Sequence, residues 1–234
     1  MYDPIYMIIG AVGAGLSALA AARVKSTFTK WSSVGTQQGL TGAQAAKQML
    51  ERQGVFDCTI EPIRGMLSDH YDPRDKTLRL SEGVYNQTSI AAIGVACHEA
   101  GHALQHATGY KFLQMRSKLV PVTGLTSKMA MPVIMGGFIL ASSGSLLGQK
   151  ILILGCILMA VAVLFSVVTL PVEWDASARA KRIMVSSGIV GEHELTGANK
   201  VLNAAFLTYL ASAVTSVMSL LYFMYRAGLI GGRR

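Results

Sequence analysis

Residues 89–104 read SIAAIGVACHEAGHAL, in which His98 and His102 stand on either side of Glu99. Ser89 is a suitable N-cap, and the small and apolar residues after it predict a buried helix. On a helix, residues four apart lie one turn apart on the same face, so both imidazoles can reach one Zn²⁺. The glutamate between them can then take a proton from a water molecule at the metal. An unpaired buried carboxylate is costly, which favours a functional reason for Glu99.

The cysteines do not add to this pattern. Cys97 neighbours His98, but its side chain points about 100° away around the helix, which predicts a core residue rather than a ligand. The odd count and wide spacing of Cys58, Cys97 and Cys156 do not make a disulfide framework. They favour a reducing compartment or buried thiols.

The composition is that of a membrane protein. Hydrophobic residues make up 51% of the 234 residues and charged residues only 15%, and the apolar residues are gathered into long runs. The net charge of +8 is not accompanied by a helix-turn-helix signal or by an aromatic-interleaved basic patch, so no nucleic-acid partner is expected. The basic residues instead lie beside the apolar runs, as in proteins that follow the positive-inside rule.

The apolar runs predict four transmembrane helices. Residues 1–23 are expected to form the first, residues 119–170 a hairpin of the second and third, and residues 203–234 the fourth with a short tail. The hairpin is expected to turn at residues 148–150. Its first span is expected to begin at Met129, since Pro121 and Pro132 can tilt or break the apolar run. Two polar blocks remain, a catalytic region at residues 24–118 and a segment at residues 171–202 in which Pro171 is expected to start a helix.

The charge distribution predicts an orientation. Residues 23–118 contain 12 Lys and Arg and residues 179–200 contain four, whereas the expected turn at 148–150 contains one. Arg226, Arg233 and Arg234 weaken this bias after the last span without reversing it. The positive-inside rule then places both polar blocks in the cytoplasm and both termini outside, in a multi-pass protein of the cell (inner) membrane.

The first polar block predicts a small α+β domain. Thr41 is a suitable N-cap for a helix over residues 42–53, and Gly54 is a suitable stop. Alternation over residues 55–63 and 77–81 predicts two strands, separated by turn-forming residues at 69–75. The strand at 77–81 either offers an edge to an extended peptide or belongs to an ordinary hairpin. The predicted fold is therefore mainly α and integral to the membrane, with a zincin-like α+β catalytic domain that contains a small sheet.

A catalytic zinc site needs a third protein ligand and an open position. The candidates for the third ligand are His70, His106, His193 or a carboxylate. His106 lies about 12 Å along the helix axis from His98, so an unbroken helix cannot bring it to the same ion. Gln105 and Thr108 stand where the metzincin pattern needs glycine and histidine, which excludes that class.

Glu173 is the favoured third ligand. It follows the third apolar run and has Asp175 and Arg179 near it in sequence. Charged residues just inside a membrane boundary are costly unless they are paired or bound to metal. A salt bridge between Glu173 and Arg179 is the alternative interpretation.

Five segments resemble the YugP-type family of bacterial membrane zinc metallopeptidases, namely Gly42 to Lys47, His70-Tyr71-Asp72-Pro73, Leu80-Ser81, Ser89 to Gln105 and Leu170 to Ala178. The likeness extends over nearly the whole chain. The sequence is more distantly similar to the HtpX-type membrane gluzincins, whose third ligand is a glutamate after a transmembrane hairpin. This resemblance implies His98, His102 and Glu173 as metal ligands and Glu99 as the catalytic base. The HtpX-type pattern has an aspartate where this chain has Ser177.

The sequence thus predicts a membrane-anchored zinc metalloendopeptidase with Zn²⁺ as cofactor and membrane or membrane-proximal proteins as substrates. Its expected partners are the lipid bilayer and the protein or peptide substrate, with a homo-oligomer left open. An intramembrane zinc protease and a non-enzymatic membrane scaffold are the alternatives. Lys111, Arg116 and Lys118 after the motif argue against a site inside the bilayer, and apolar runs two to four lack the acidic residues and histidines of a metal transporter.

Overall fold

The computed structural model describes residues 3–231. The ends of the first and fourth predicted spans, including Arg233 and Arg234, lie outside the described residues. The described elements are, in chain order, α1 Pro4–Ser32, α2 Gly42–Arg52, β1 Thr59–Ile63, β2 His70–Asp72, β3 Thr77–Ser81, α3 Glu82–Tyr85, α4 Ile90–Ala107, α5 Lys111–Ser142, α6 Leu146–Ser186 and α7 Glu192–Arg226. The predicted mainly helical fold with a small sheet is confirmed.

Four helices are long and apolar enough to cross a membrane, namely α1, α5, α6 and α7. Each contains an apolar stretch of at least 18 residues, which is close to the length that spans a hydrocarbon core. The predicted number of candidate spans is therefore confirmed within residues 3–231. The side of the membrane on which each polar segment lies stays a prediction.

The hairpin between α5 and α6 turns earlier than predicted. Helix α5 continues through Pro121 and Pro132 and ends at Ser142, and α6 begins at Leu146, so the turn predicted at residues 148–150 is wrong. Gly144 has φ +78°, a conformation that favours glycine, and this allows the reversal there. Gly148 lies inside α6 instead, where a Cβ would come within 2.2 Å of the Ala141 backbone nitrogen, so its lack of a side chain permits close helix packing.

Helix α6 is also longer than predicted. Pro171 was expected to start a new helix, but α6 is continuous from Leu146 to Ser186 with Pro171 inside it. Membrane helices tolerate internal proline because neighbouring groups satisfy the freed carbonyl. The carbonyl that loses its helical partner is that of Val167, four residues earlier, whereas the Tyr110 hydroxyl donates to the carbonyl oxygen of Pro171 itself at 3.4 Å. The polar residues after Pro171 therefore continue the same helix.

The chain divides into two compact units. The first comprises the described parts of Met1–Ala18, Met115–Leu170 and Tyr209–Arg234. Its buried core includes residues of α5, α6 and α7, among them Ile134, Leu152, Cys156, Tyr222 and Phe223. At one end of this unit, the Asp3 carboxylate accepts hydrogen bonds from the Tyr222 hydroxyl and from the Arg226 guanidinium.

The second unit comprises Leu19–Gln114 and Pro171–Thr208. Its core is formed by the apolar faces of α2 and α4 with β3 and parts of α6 and α7, and includes Met49, Leu78, Leu80, Ile93 and Met184. Helix α2 begins with the predicted cap. The Thr41 side chain accepts from the Gln44 backbone nitrogen, and the Gln44 side chain accepts from the Thr41 nitrogen.

The sheet has the order β1-β3-β2, with β1 parallel and β2 antiparallel to β3. β3 pairs with β1 along its whole length and with β2 at residues 77–79, so the hypothesis that this strand offers an edge to a peptide is wrong for those three residues. Sequence alternation detects a strand but not its position in the sheet, and here the short strand His70–Asp72 covers the edge. The free edges of the sheet belong to β1 and β2.

Candidate metal centre

The sequence of α4 accounts for a buried helix. The Ser89 hydroxyl accepts a hydrogen bond from the Ala92 backbone nitrogen at 3.2 Å and caps the first turn. Fourteen of its 18 residues are buried, and most of these are small or apolar. The helix ends before Gly109, whose φ of +65° favours glycine. The helix therefore passes through the core of the second unit and carries His98 and His102 with it.

A close approach between two helices brings the candidate ligands together. A Cβ placed on Gly101 of α4 would lie 2.6 Å from the carbonyl oxygen of Ala176 in α6. Glycine costs about 1 kcal/mol relative to alanine inside a helix, and this approach accounts for its presence. Because Ala176 lies three residues after Glu173, the same contact brings the Glu173 carboxylate to the histidine face of α4.

We expect Gly101→Ala to lower the free energy of unfolding by about 1–3 kcal/mol, because a carbonyl oxygen of the backbone cannot rotate away from the new methyl group. Gly94→Ala is the matched control on the same helix, since its Cβ would meet Ala198 at an ordinary 3.5 Å. That control should be neutral or stabilising by up to about 1 kcal/mol. Thermal unfolding in detergent micelles measures both, and equal shifts in the same direction would contradict the role given to the close approach.

The candidate ligands meet in one cluster. Ligand atoms of His98, His102 and Glu173 all lie within 4.8 Å of one another. The Glu173 Oε2 atom is 3.1 Å from His98 Nε2 and 3.6 Å from His102 Nε2. His102 and Glu173 are buried, with Glu173 only 1% exposed, and the side chain of His98 is 12% exposed. This is the one such group of potential metal ligands in the described part of the chain.

The donor set fits a zinc ion. With zinc–ligand distances of about 2.0–2.2 Å, tetrahedral geometry separates neighbouring ligand atoms by about 3.3–3.6 Å. The separation of 3.6 Å between Glu173 Oε2 and His102 Nε2 lies in that range, and the 3.1 Å between Glu173 Oε2 and His98 Nε2 lies just below it. Two imidazoles and one carboxylate also match the His₂Glu set of catalytic zinc sites, which leaves a fourth position open.

Each candidate histidine has a hydrogen-bond partner on its other ring nitrogen. His98 Nδ1 lies 3.1 Å from Ser177 Oγ, and His102 Nδ1 lies 3.0 Å from Gln105 Oε1. Ser177 thus occupies the place where the HtpX-type pattern has an aspartate. Asp175 reaches His102 only indirectly, because its Oδ2 atom accepts from Gln105 Nε2 at 2.9 Å. Such partners orient metal-binding imidazoles.

Glu99 is buried beside the cluster and has no hydrogen-bond or ion-pair partner within residues 3–231. Only 8% of the surface of Glu99 is exposed. In residues 3–231, the side-chain nitrogen and oxygen atoms that are fully enclosed and lack a hydrogen bond are Thr123 Oγ1 and Asn199 Oδ1. The Glu99 oxygens also lack a hydrogen bond but are not in this group, so they are not fully enclosed and remain in contact with solvent. A buried carboxylate that is free of protein partners and open to water can exchange protons with water.

The other third-ligand candidates have different surroundings. The Tyr71 hydroxyl lies 2.8 Å from His106 Nδ1, and His70 Nδ1 lies 2.8 Å from the Ser68 carbonyl oxygen. Burial raises the pKa of Tyr71, so this phenol remains a hydrogen-bond donor at neutral pH. His193 is exposed in the first turn of α7. None of the three belongs to the ligand cluster.

The alternative interpretation of Glu173 as the partner of Arg179 does not fit the geometry. Arg179 Nε donates to Asp175 Oδ2 at 2.7 Å, and Arg179 Nη1 lies 3.3 Å from Thr108 Oγ1. Glu173 instead faces the two imidazoles. The charged cluster that follows the third apolar run therefore separates into an ion pair and a candidate ligand.

The cysteines lie outside this centre. Cys97 is fully buried in the core, as predicted, and burial raises its pKa. Burial, reinforced by the nearby Asp57 charge, raises the pKa of Cys58 to about 11, so its thiol stays protonated near neutral pH. Neither is a reactive thiolate under these conditions.

The contact between Gln105 and His102 was not predicted from the sequence. Gln105 excludes the metzincin pattern, and in the structure it is also fully buried and contacts His102. The available signal was its spacing, since residue 105 lies three after His102 and seven after His98 and thus on the same helix face.

Comparison with known proteins indicates a family of zinc metallopeptidases. A family model described as "Putative neutral zinc metallopeptidase" matches residues 6–228. The chain is 47% identical over 220 residues to "Putative membrane protease YugP" of Bacillus subtilis (strain 168), and the alignment covers 94% of each of the two chains. No solved structure shows a significant match to the chain.

Proposed function

The chain belongs to this family of neutral zinc metallopeptidases, and from that premise we propose that it is a membrane-anchored zinc metalloendopeptidase. The observation that carries the proposal is the convergence of His98, His102 and Glu173 at separations that suit one zinc ion. Glu99 adds a buried carboxylate without a protein partner. Such a set is suited to hydrolysis of an amide bond.

In this proposal His98, His102 and Glu173 hold the metal. When bound, zinc acts as a Lewis acid that polarises a carbonyl group and makes water a better nucleophile at neutral pH. Glu99 accepts the proton of the attacking water and passes it to the nitrogen of the leaving amine. Ser177 and Gln105 keep the two imidazoles oriented, through contacts of 3.1 and 3.0 Å.

The proposed substrates are membrane proteins or peptides near the membrane surface. The four apolar helices support anchoring in a bilayer, and the printed name of the Bacillus subtilis relative is that of a membrane protease. The charge bias of the polar segments supports a site on the cytoplasmic side of the cell membrane. An extended substrate would pair with a free sheet edge, on β1 or β2.

Removal of the metal tests the proposal. Protein purified in detergent micelles should contain about one zinc per chain and should cleave a casein-type substrate. A chelator should reduce the rate to background, and added Zn²⁺ should restore it. A protein without bound zinc, whose properties do not change on chelation, would support the scaffold interpretation and contradict the peptidase.

A further inference from the structure

Gln105 makes three hydrogen bonds from a fully buried side chain. Its Oε1 atom lies 3.0 Å from His102 Nδ1. Its Nε2 atom donates to the Val172 carbonyl oxygen at 2.8 Å and to Asp175 Oδ2 at 2.9 Å. This amide therefore joins a candidate ligand on α4 to the part of α6 on either side of Glu173.

The neighbours of Gln105 determine which way its amide points. A backbone carbonyl and a carboxylate accept hydrogen bonds and cannot donate them. Because both neighbours of the nitrogen end are of this kind, the NH₂ group must face Val172 and Asp175, and the oxygen must face His102. An amide oxygen only accepts, so Nδ1 of His102 must carry the proton. In the neutral imidazole this tautomer places the lone pair on Nε2, the atom that lies 3.6 Å from the Glu173 carboxylate.

A ring of hydrogen bonds holds this arrangement in place. Arg179 Nε donates to the same Asp175 Oδ2 atom at 2.7 Å, which holds that carboxylate in place. Arg179 Nη1 donates to Thr108 Oγ1 at 3.3 Å. Thr108 is the C-cap of α4, so the ring begins and ends on the helix that carries His102.

We propose that Gln105 is a positioning residue that fixes the tautomer and orientation of His102, and that Asp175 keeps the Gln105 amide turned the right way. This inference rests on the proposed function, because the tautomer of His102 matters in this way only if His102 binds a metal. The Ser177 hydroxyl beside His98 can donate or accept, so His98 has no equivalent constraint. The two imidazoles are therefore held in different ways.

The test exchanges the amide and the carboxylate. In Gln105→Glu, a second carboxylate faces Asp175 and the Val172 carbonyl, and we expect the affinity for Zn²⁺ to fall roughly 10–100-fold. In the double variant Gln105→Glu with Asp175→Asn, the new asparagine can donate to the new glutamate, which still accepts from His102. We expect this variant to regain at least tenfold of the lost affinity, whereas Asp175→Asn alone should change it only a few-fold.

Zinc affinity is measured by chelator competition in detergent micelles, and the visible spectrum of the Co²⁺-loaded protein reports ligand geometry. Gln48→Glu is the matched control, since Gln48 also donates from its side chain to a backbone carbonyl, that of Ser187 at 3.1 Å, and is not part of the ligand cluster. It should leave affinity and spectrum unchanged. If Gln105 had a purely structural role, Gln105→Glu would lower the stability of the protein but would not change the Co²⁺ spectrum. The double variant would then not recover zinc affinity.

The outcomes separate the two proposals. Wild-type affinity in Gln105→Glu, or a double variant no better than the single one, overturns the positioning role. If Gln105→Glu does not fold, recovery of folded, zinc-binding protein in the double variant is the same rescue, and its failure overturns the role. If the variants show the expected order of zinc affinities but the wild-type protein cleaves no peptide, the positioning role is supported and only the peptidase function is contradicted. A wild-type protein that binds no zinc overturns both.

Discussion

Glu99→Gln is expected to retain bound zinc and to lose about 10²–10⁴-fold in the rate of peptide cleavage. Glutamine has the same size and shape but cannot accept a proton from water. The Glu99 carboxylate has no protein partner within the described residues, so the substitution breaks no hydrogen bond that holds the fold together. Initial rates on a casein-type substrate, measured beside zinc stoichiometry, separate loss of proton transfer from loss of metal.

Glu51→Gln provides the matched control for this substitution. Glu51 is exposed on α2, where it pairs with Lys47 at 3.8 Å, and exposed pairs of this kind contribute little to stability. Both its zinc content and its cleavage rate should equal those of the wild type. Undiminished turnover by Glu99→Gln would refute its assignment as the general base.

Glu173→Ala is expected to weaken zinc binding by more than the 10–100-fold that loss of an outer hydrogen bond costs, because it removes one of three proposed ligands. The remaining imidazoles of His98 and His102 cannot complete a catalytic zinc site. Glu173→Gln keeps the side-chain volume while removing the charge, so it tests whether a cavity alone explains the loss. Chelator competition in detergent micelles gives the affinity of each variant.

His106→Ala is the comparison for the Glu173 variants. His106 is the next histidine on α4, but its Nδ1 atom is 2.8 Å from the Tyr71 hydroxyl rather than in the ligand cluster. Its zinc affinity should equal that of the wild type, with a loss of stability of about 1 kcal/mol from the broken hydrogen bond. If His106→Ala lost zinc and Glu173→Ala kept it, the proposed ligand set would be wrong.

Local signals in the sequence were sufficient for the elements that depend on neighbouring residues. Helix caps depend only on residues within one or two turns, and the predicted caps at Thr41 and Ser89 agree with the structure. The same holds for the helical spacing of His98 and His102. The pattern could name Glu173 as a candidate but could not give its distance from the imidazoles.

Features that depend on packing were mispredicted or missed. Pro171 predicts a helix start by local propensity, yet α6 continues through it. The strand at 77–81 could be recognised by alternation, but its central position depends on the three-residue strand β2, which is too short to show a period. A buried glutamine is rare on propensity grounds, so the contacts of Gln105 could not be predicted from its type.

The two helices that carry the proposed ligands are far apart in the chain, since Glu173 follows His98 by 75 residues. During synthesis the motif helix is made first, and the carboxylate arrives only after the α5–α6 hairpin has been translated. A nascent chain that ends before residue 173 lacks the third ligand, so it cannot hold zinc as the finished protein would. The proposed proteolytic competence would thus begin only late in biogenesis, once both helices have been made.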